Sequence, residues 1–474
     1  MKAFDKEIVS GNIFRSVWKQ AWPLVVLNLV NGSHGFVSHI LVGHFVAAEN
    51  NAANAAIGVA WQVFMVIVVF VASLFQGTNV LVARYAGQED RRNMGRVFYQ
   101  TFLCSIFVLC CVVGPVGYLI SPALLNFVRA DVNVQHHALP YIRILFACGA
   151  PLFLMFMITG AFQASGDPKT PLKLGILTTL LNILISSVLI TGVGPFPKLG
   201  VTGAALGIVV APLVSVAIAI SLILRKKTHI PPPERFSLIP DFSVIRVVVR
   251  VGIPTGIQGV LLNIAGVFLL KYIGSLEHSS AAQAAYTICY TQLFSLVTWT
   301  AFGLRAAAGT VMGQNIGAGD PARGKRAVAL AGCLGAVWAS IIGLMFWLFP
   351  DVFLSAFNAF HEPVATYARS LLHYLSFSGV CLAAALGLTG GIQGSGYTTI
   401  PMYIAFLTQI VILLGLCAIF SAFDALTAER VWMCILISHA SRLALTYAVF
   451  RTEKWAHIRI EIEDIRTPQE PEGV

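Results

Sequence analysis

The sequence predicts an all-α integral membrane protein: about twelve transmembrane helices in two six-helix lobes related by a parallel pseudo-two-fold repeat. Three observations lead there. The first is composition. Of 474 residues, 57% are hydrophobic and only 11% charged, well under the roughly 25% charged residues of a soluble globular chain, and the mean hydropathy is +0.79. The second is where the acids lie. The Asp and Glu residues fall between or beside long apolar runs, and each run reaches the roughly 20 helical residues that cross a hydrocarbon core. Runs so long and so uniformly apolar exclude barrel strands, which leaves helices to satisfy the backbone in lipid. The third is that the second half of the chain repeats the landmarks of the first.

In chain order, the first run opens near Ala21 and contains Pro23 and Asn28. It has span length and no small-residue cleavage site, so it reads as a helix and not as a cleavable leader. The second starts near Ala55 and exits into Ala86-Gly87-Gln88-Glu89-Asp90. The third and fourth start near Val97 and Ala138, and the fourth ends at Gln163-Ala164-Ser165-Gly166. The fifth and sixth, near Pro171 and Val201, complete a lobe over residues 13–224, which follows a short segment, 1–12. A charged linker, 225–245, carries Pro231-Pro232-Pro233. The second lobe, 246–450, starts its spans near Val247, Ala281, Ala327, Tyr367, Ile400 and Glu429, and a tail, 451–474, closes the chain.

A displacement of about 230 positions places Gly87, Asp90 and Arg96 on Gly317, Asp320 and Arg326. It also places Gly160, Gln163, Ser165, Gly166 and Pro171 on Gly390, Gln393, Ser395, Gly396 and Pro401, and Pro23 falls one residue out of register with Pro254. Ordered matches at nearly one offset mark an internal repeat. Two halves of six spans that start on the same side form a parallel repeat, an arrangement common in secondary transporters, where the substrate path lies between the halves. In the turns, Gly87 and Gly317 are expected to permit tight reversal and Asp90 and Asp320 to cap the next helix. Gly166 and Gly396 mark the second matched turn of each half.

The net charge of +10 sorts by side. Arg84, Arg91, Arg92 and Arg96, then Lys169 and Lys173, then Arg225, Lys226, Lys227 and Arg235, then Arg323, Lys325 and Arg326 all fall in alternate loops. The opposite loops and helix ends hold few: Arg129, Arg143, Lys198, Lys271, Arg369 and Arg430. The positive-inside rule then puts both termini in the cytoplasm of a multi-pass protein of the inner (plasma) membrane. The surplus charge is topology, and no nucleic-acid partner is expected. The nine cysteines all lie in apolar spans, without a CxxC pair, and read as small buried hydrophobes.

Together the opening helix with Pro23 and Gly35-Phe36-Val37, the exit Leu81-Val82-Ala83 leading to Gly87, its counterpart Gly313-Gln314 through Gly317-Ala318-Gly319-Asp320, and the Gly166-Asp167 and Gly396 turns carry a resemblance. The chain resembles the multidrug and toxic compound extrusion (MATE) family of the flippase–exporter superfamily, from Ile13 to Phe450. The resemblance implies two lobes around a central cleft and export of amphipathic organic molecules driven by inward sodium or proton flow. It also implies coupling carboxylates on the first, fifth, seventh and tenth helices. Here the matching positions read Ser38, then Asn182 followed by Ser186, then Leu262, then Ala383-Ala384-Ala385, so carboxylate coupling does not carry over.

Polar residues inside a membrane face protein or water, and their spacing nominates a pathway. Asn28, Gly32, Gly35 and His39 share one face of the first helix, as Gly259, Asn263 and Gly266 do on the seventh. Asn31, His34, Ser38 and His39 form a polar cluster, with His39 and His34 as proton-responsive groups in place of the missing acids. Asn182 and Ser186 extend a stripe on the fifth helix, and Tyr286 and Tyr290 offer aromatic contacts on the eighth. Basic groups without acids point to neutral or anionic substrates over organic cations. The expectation is a monomeric antiporter for a small amphipathic molecule in the bilayer, with proton rather than sodium coupling and no cofactor, metal or enzymatic activity. A flippase for a lipid-linked or amphiphilic anion is the alternative. The absence of HExxH, GxSxG and GxxxxGK[ST] patterns speaks against a hydrolase or an ATP-driven pump.

Overall fold

The computed structural model describes residues 4–45, 51–127, 132–233, 238–357 and 362–458, with side chains except at 31–45, most of 51–74, 127, 132, 133 and 457. Among the described residues there are helices and no strands. After a short helix Glu7–Ser10 come α1 (Ile13–Phe45) and α2 (Asn51–Gly87). Helix α3 runs through Arg91–Val108, a π turn Leu109–Val113 and Gly114–Phe127. Helix α4 is Val132–Cys148 and Ala150–Ala164, bent by 51° at the break. Helices α5 (Lys169–Thr191) and α6 (Val201–Leu224) finish the first lobe.

The second lobe starts with α7 (Phe242–Gly274). Helix α8 combines Ser279–Tyr286, a π turn Thr287–Leu293 and Ser295–Gly317. Then come α9 (Pro321–Leu348), α10 (Val364–Gly394), α11 (Thr399–Ala405, Phe406–Leu414 and Gly415–Ala422) and α12 (Ala428–Arg451). Among the described residues, eight helices are long and apolar enough to cross a membrane, nine with the bent α4 pair counted as one. Helices α1 and α2, of 33 and 37 residues, also exceed span length. Helix α8 completes about twelve spans, its apolar run interrupted by Arg305.

Each lobe has its own core. Phe64, Tyr141, Phe146, Phe153 and Phe162 centre the first; Tyr286, Phe294, Phe346 and Trp432 centre the second. Large apolar side chains such as Leu180, Leu184, Val267, Val337 and Leu344 face outward, as a lipid-facing surface requires. Four of the nine cysteines, Cys110, Cys111, Cys148 and Cys333, are exposed rather than buried. A thiol is apolar enough to face lipid, so burial is not needed to keep it in a span.

The lobes are laced together by an exchange of neighbours. Helix α1 packs along α8, and α7 packs along α2, and the two contacts are equivalent under the repeat. The turns are also equivalent. Asp90 Oδ1 accepts from the Asn93 amide at 3.0 Å and Asp320 Oδ1 from the Arg323 amide at 2.9 Å, as capping predicts. Gly166 and Gly396 share the same left-handed φ of 91°.

The role of Gly87 and Gly317 differs from the sequence expectation. Positive φ in their turns falls on Glu89 and Gly319, while Gly87 and Gly317 are the last residues of helices. Their small size serves the lobe interface. A Cβ on Gly87 would lie 2.0 Å from the Gln314 carbonyl oxygen, and one on Gly317 would lie 2.1 Å from that of Arg84. Arg84 and Gln314 are themselves repeat mates, so the contact is reciprocal.

Candidate functional site

Between the lobes lies a cavity of about 390 Å³, within the usual size range of a small-molecule site. Its walls come from α1, α2 and α4 of one lobe and α7, α8 and α10 of the other. These are three helices and their repeat mates, so the cavity straddles the pseudo-two-fold axis. Asn28, Gln76, Asn79 and Gln163 supply polar groups from the first lobe, and Thr255, Arg305, Thr310 and Gln393 from the second. Leu24, Leu27, Val69 and Phe302 supply apolar surface.

Arg305 is the one charged residue among the described lining residues. It precedes the end of α8 at Gly317 by a rise of about 18 Å, a depth near the middle of a membrane core. Close glycine contacts hold α8 against α10: a Cβ on Gly394 would lie 2.3 Å from the Gly309 carbonyl oxygen. That approach lets Arg305 Nε and Nη2 donate to Gln393 Oε1 at 3.1 and 2.6 Å. Gln393 Nε2 donates onward to Gln258 Oε1 at 2.8 Å. The chain of bonds fixes the amide of Gln393, yet among the described residues no carboxylate neutralises the guanidinium. Asn79 Oδ1 and Thr255 Oγ1 are buried without a hydrogen-bond partner among the described residues. A polar, partly unsatisfied cavity of this kind suits water or a polar ligand.

The floor of the cavity is closed by crossed braces. Arg84 Nη2, from α2, donates to the Ser395 carbonyl at 2.8 Å and to that of Ile458 at 2.6 Å. Its repeat mate Gln314, from α8, donates through Nε2 to the Ala164 carbonyl at 2.8 Å. Each lobe thus reaches the matched turn of the other. Gln20 Nε2 adds a bond to the Gly166 carbonyl at 3.2 Å. The N-terminal segment lies across the same end, where Arg323 Nη2 donates to the Gly11 carbonyl at 2.7 Å and Asn315 Nδ2 to that of Ile8 at 3.2 Å.

Of the residues nominated from sequence, Asn28 lines the cavity. Asn31, His34, Ser38 and His39 lie on α1, and their side chains are outside the described residues. Asn182 and Ser186 are buried on α5, where a Cβ on Gly207 of α6 would lie 2.0 Å from Ser186 Oγ, so that stripe faces α6. Asn263 Nδ2 donates to the Gly259 carbonyl of its own helix at 2.9 Å. Tyr286 and Tyr290 stack at 4.9 Å, and Tyr290 stacks on Phe294 at 5.4 Å, inside the second lobe.

Sequence reasoning passed over Arg305, Gln76, Asn79, Thr255 and Thr310. The signal for Arg305 was present: the repeat sets this arginine opposite Phe75, a buried apolar residue. Across all twelve helices, the only acid within the described bounds is Glu429, in the first turn of α12. Among the described residues, no three His, Cys, Asp or Glu side chains gather to hold a metal.

The MatE family model matches the chain twice, over residues 23–188 and 254–419. The two matches begin at Pro23 and Pro254, the pair that registers the repeat. The chain is 25% identical over 446 residues to the probable multidrug resistance protein YoeA of Bacillus subtilis (strain 168), covering 93% of this chain and 94% of that one. It is 30% identical over 414 residues to the probable multidrug resistance protein NorM of Rhizobium meliloti (strain 1021), with coverages of 83% and 84%. A solved outward-facing multidrug resistance MATE family transporter of the MOP superfamily superposes with a TM-score of 0.86 at 20% identity, over 95% of this chain and 98% of that one. At that identity the likeness is one of fold.

Proposed function

The chain belongs to the MatE family, and on that premise we propose that it is a secondary exporter of small amphipathic organic molecules. The lobes alternate access to the cavity by rocking against each other. The observation that carries this reading is the cavity itself, walled by equivalent helices of both lobes and closed at one end by reciprocal braces. A path on a pseudo-two-fold axis opens at either end when the lobes rock, which is the geometry of alternating access. The names of the relatives support multidrug export as the general kind.

The braced end carries the basic loops and both terminal segments, and the positive-inside rule makes it the cytoplasmic face. Coupling is to protons, through His39 and His34, because the helices hold no buried acid to take that part and a histidine changes charge near neutral pH. The test is counterflow in sealed vesicles under separately imposed proton and sodium gradients. A carrier accelerates exchange of labelled substrate against unlabelled; a passive channel does not. His39→Ala and His34→Ala are expected to abolish the proton response while leaving counterflow. An unaltered proton response in both variants overturns the coupling assignment.

A further inference from the structure

The repeat gives the central cavity a symmetrical scaffold, but the lining breaks the symmetry. On α2, Gln76 and Asn79 stand three residues apart and share a face. Their repeat mates on α8 are Ala306 and Gly309, which line the same cavity and bring no polar side chain. In the other direction, Arg305 has Phe75 for a mate and Thr255 has Leu24. The first lobe thus sets amides into the wall where the second has small residues, and the second sets a cation and a hydroxyl where the first is apolar. Among the described residues, no Asp or Glu lines the cavity.

Both walls hold hydrogen-bonding groups that the protein leaves unused. A Cβ on Gly160 of α4 would lie 2.7 Å from Asn79 Oδ1 and 2.9 Å from Nδ2, so the bare backbone there makes room for that amide. Asn79 Oδ1 nonetheless has no partner among the described residues, and the Gln76 side chain makes no hydrogen bond among them. Across the cavity, a guanidinium carries five N–H donors. Arg305 uses Nε–H and one Nη2–H on Gln393, which leaves three without a partner among the described residues. Thr255 is 7% exposed, and its Oγ1 is also unpartnered. Such groups are unfavourable in an enclosed space unless water or a ligand meets them, the charge most of all. A guanidinium fork suits a carboxylate or phosphate. A side-chain amide presents a donor and an acceptor side by side, and pairs with a group that does the same, such as a lactam or imide edge.

We propose that the cavity recognises its substrate from two sides: Gln76 and Asn79 pair with a lactam or imide edge, and Arg305 takes an anionic group at the other end of the same molecule. The substrate class is an organic anion built on a planar ring that carries such an edge, with the apolar face of the ring against Phe302. This rests on the exporter reading and names its substrate class and the residues that select it.

The test uses three probes with the purified full chain. Thymidine monophosphate has a phosphate, a planar ring and an imide edge. Thymidine lacks the charge, and thymidine monophosphate methylated at the imide nitrogen lacks the donor of the edge. Equilibrium binding in detergent reads recognition without requiring transport. Thymidine monophosphate is expected to bind about tenfold more tightly than either of the others, since each comparison removes one hydrogen-bonded group. Arg305→Gln is expected to erase the preference over thymidine and to keep the preference over the methylated ring, while Arg305→Lys keeps both. Gln76→Leu combined with Asn79→Ala is expected to do the converse, erasing the preference over the methylated ring and keeping that over thymidine. A purely structural role does not split in this way, because a disturbed cavity loses both preferences together.

The natural chain decides the matter even if a variant fails to fold. Equal binding of thymidine and its monophosphate overturns the role of Arg305, equal binding of the methylated and unmethylated rings overturns the role of the amides, and no saturable binding of either phosphate overturns both. Loss of both preferences together in a folded variant overturns the division between the walls. Counterflow in vesicles is scored separately. Selective binding without counterflow leaves the recognition standing and removes the exporter reading. Counterflow of an organic cation without binding of either phosphate does the reverse.

Discussion

Gly317 and Gly319 sit two residues apart and do different work. Gly319 has a φ of 83° with open space around its missing side chain, so Gly319→Ala costs about 1 kcal/mol of backbone strain and nothing else. Gly317 has ordinary helical backbone, but a side chain there strikes the Arg84 carbonyl 2.1 Å away. Gly317→Val is expected to fold, because each lobe keeps its own core, and to lose more than tenfold in counterflow, because the lobes no longer close at that end. Gly319→Ala is expected to melt slightly earlier and to transport normally. Equal losses of transport in both variants would sink this division of labour. The repeat marks both glycines in the sequence, but turn chemistry is a local property and lobe contact a distant one. That is why Gly87 and Gly317 read as turn residues. Arg305 was missed for a related reason: without its partner Gln393 in view, one arginine in a helix has no site to belong to.

Helices were legible wherever a long apolar run and a turn signal coincided, and the caps at Asp90 and Asp320 follow from a single residue type before a helix start. The π turns of α3, α8 and α11 were not legible, because they depend on packing against neighbouring helices rather than on a breaker residue. The short helix Glu7–Ser10 was also missed, being too short to show a period. It nonetheless has a clear position. Ile8 is fully buried in a cluster with Met312 and Trp455, and its Cδ1 reaches the position a Cβ on Gly166 would occupy to within 3.0 Å. The segment therefore wedges the α4–α5 turn of one lobe against α8 of the other. Ile8→Ala removes roughly 2 kcal/mol or more of packing, and that loss falls on the closed end alone. In a cysteine-free background with Ala306→Cys in the cavity wall, Ile8→Ala is expected to speed alkylation from the braced face several-fold. Alkylation at the unaltered rate would show that the wedge does not hold the gate.

At the scale of the molecule, the repeat was readable because landmarks such as Gly87 and Gly317 stand at one offset, and that pattern needs no knowledge of contacts. The exchange of α1 onto α8 and of α7 onto α2 was not readable, because a repeat says which helices are equivalent and not which lobe each one leans on. The exchange matters for mechanism. Helices that grip the opposite lobe along their length let the lobes pivot while remaining attached, so the motion concentrates where the braces cross. There a Cβ on Gly313 would lie 2.7 Å from the Cβ of Ala83, about 1 Å inside the roughly 3.8 Å usual for a disulfide. A separation of the helices by about 1 Å therefore brings Ala83→Cys and Gly313→Cys to bonding distance. Built together in a cysteine-free background, the pair is expected to oxidise readily and to abolish the counterflow that remains in the reduced pair, with Gly313→Cys alone as the reference because a side chain there already crowds Ala83. Counterflow at the natural rate in the cross-linked chain would mean that the lobes never part there, and rocking of one lobe against the other would have to be abandoned.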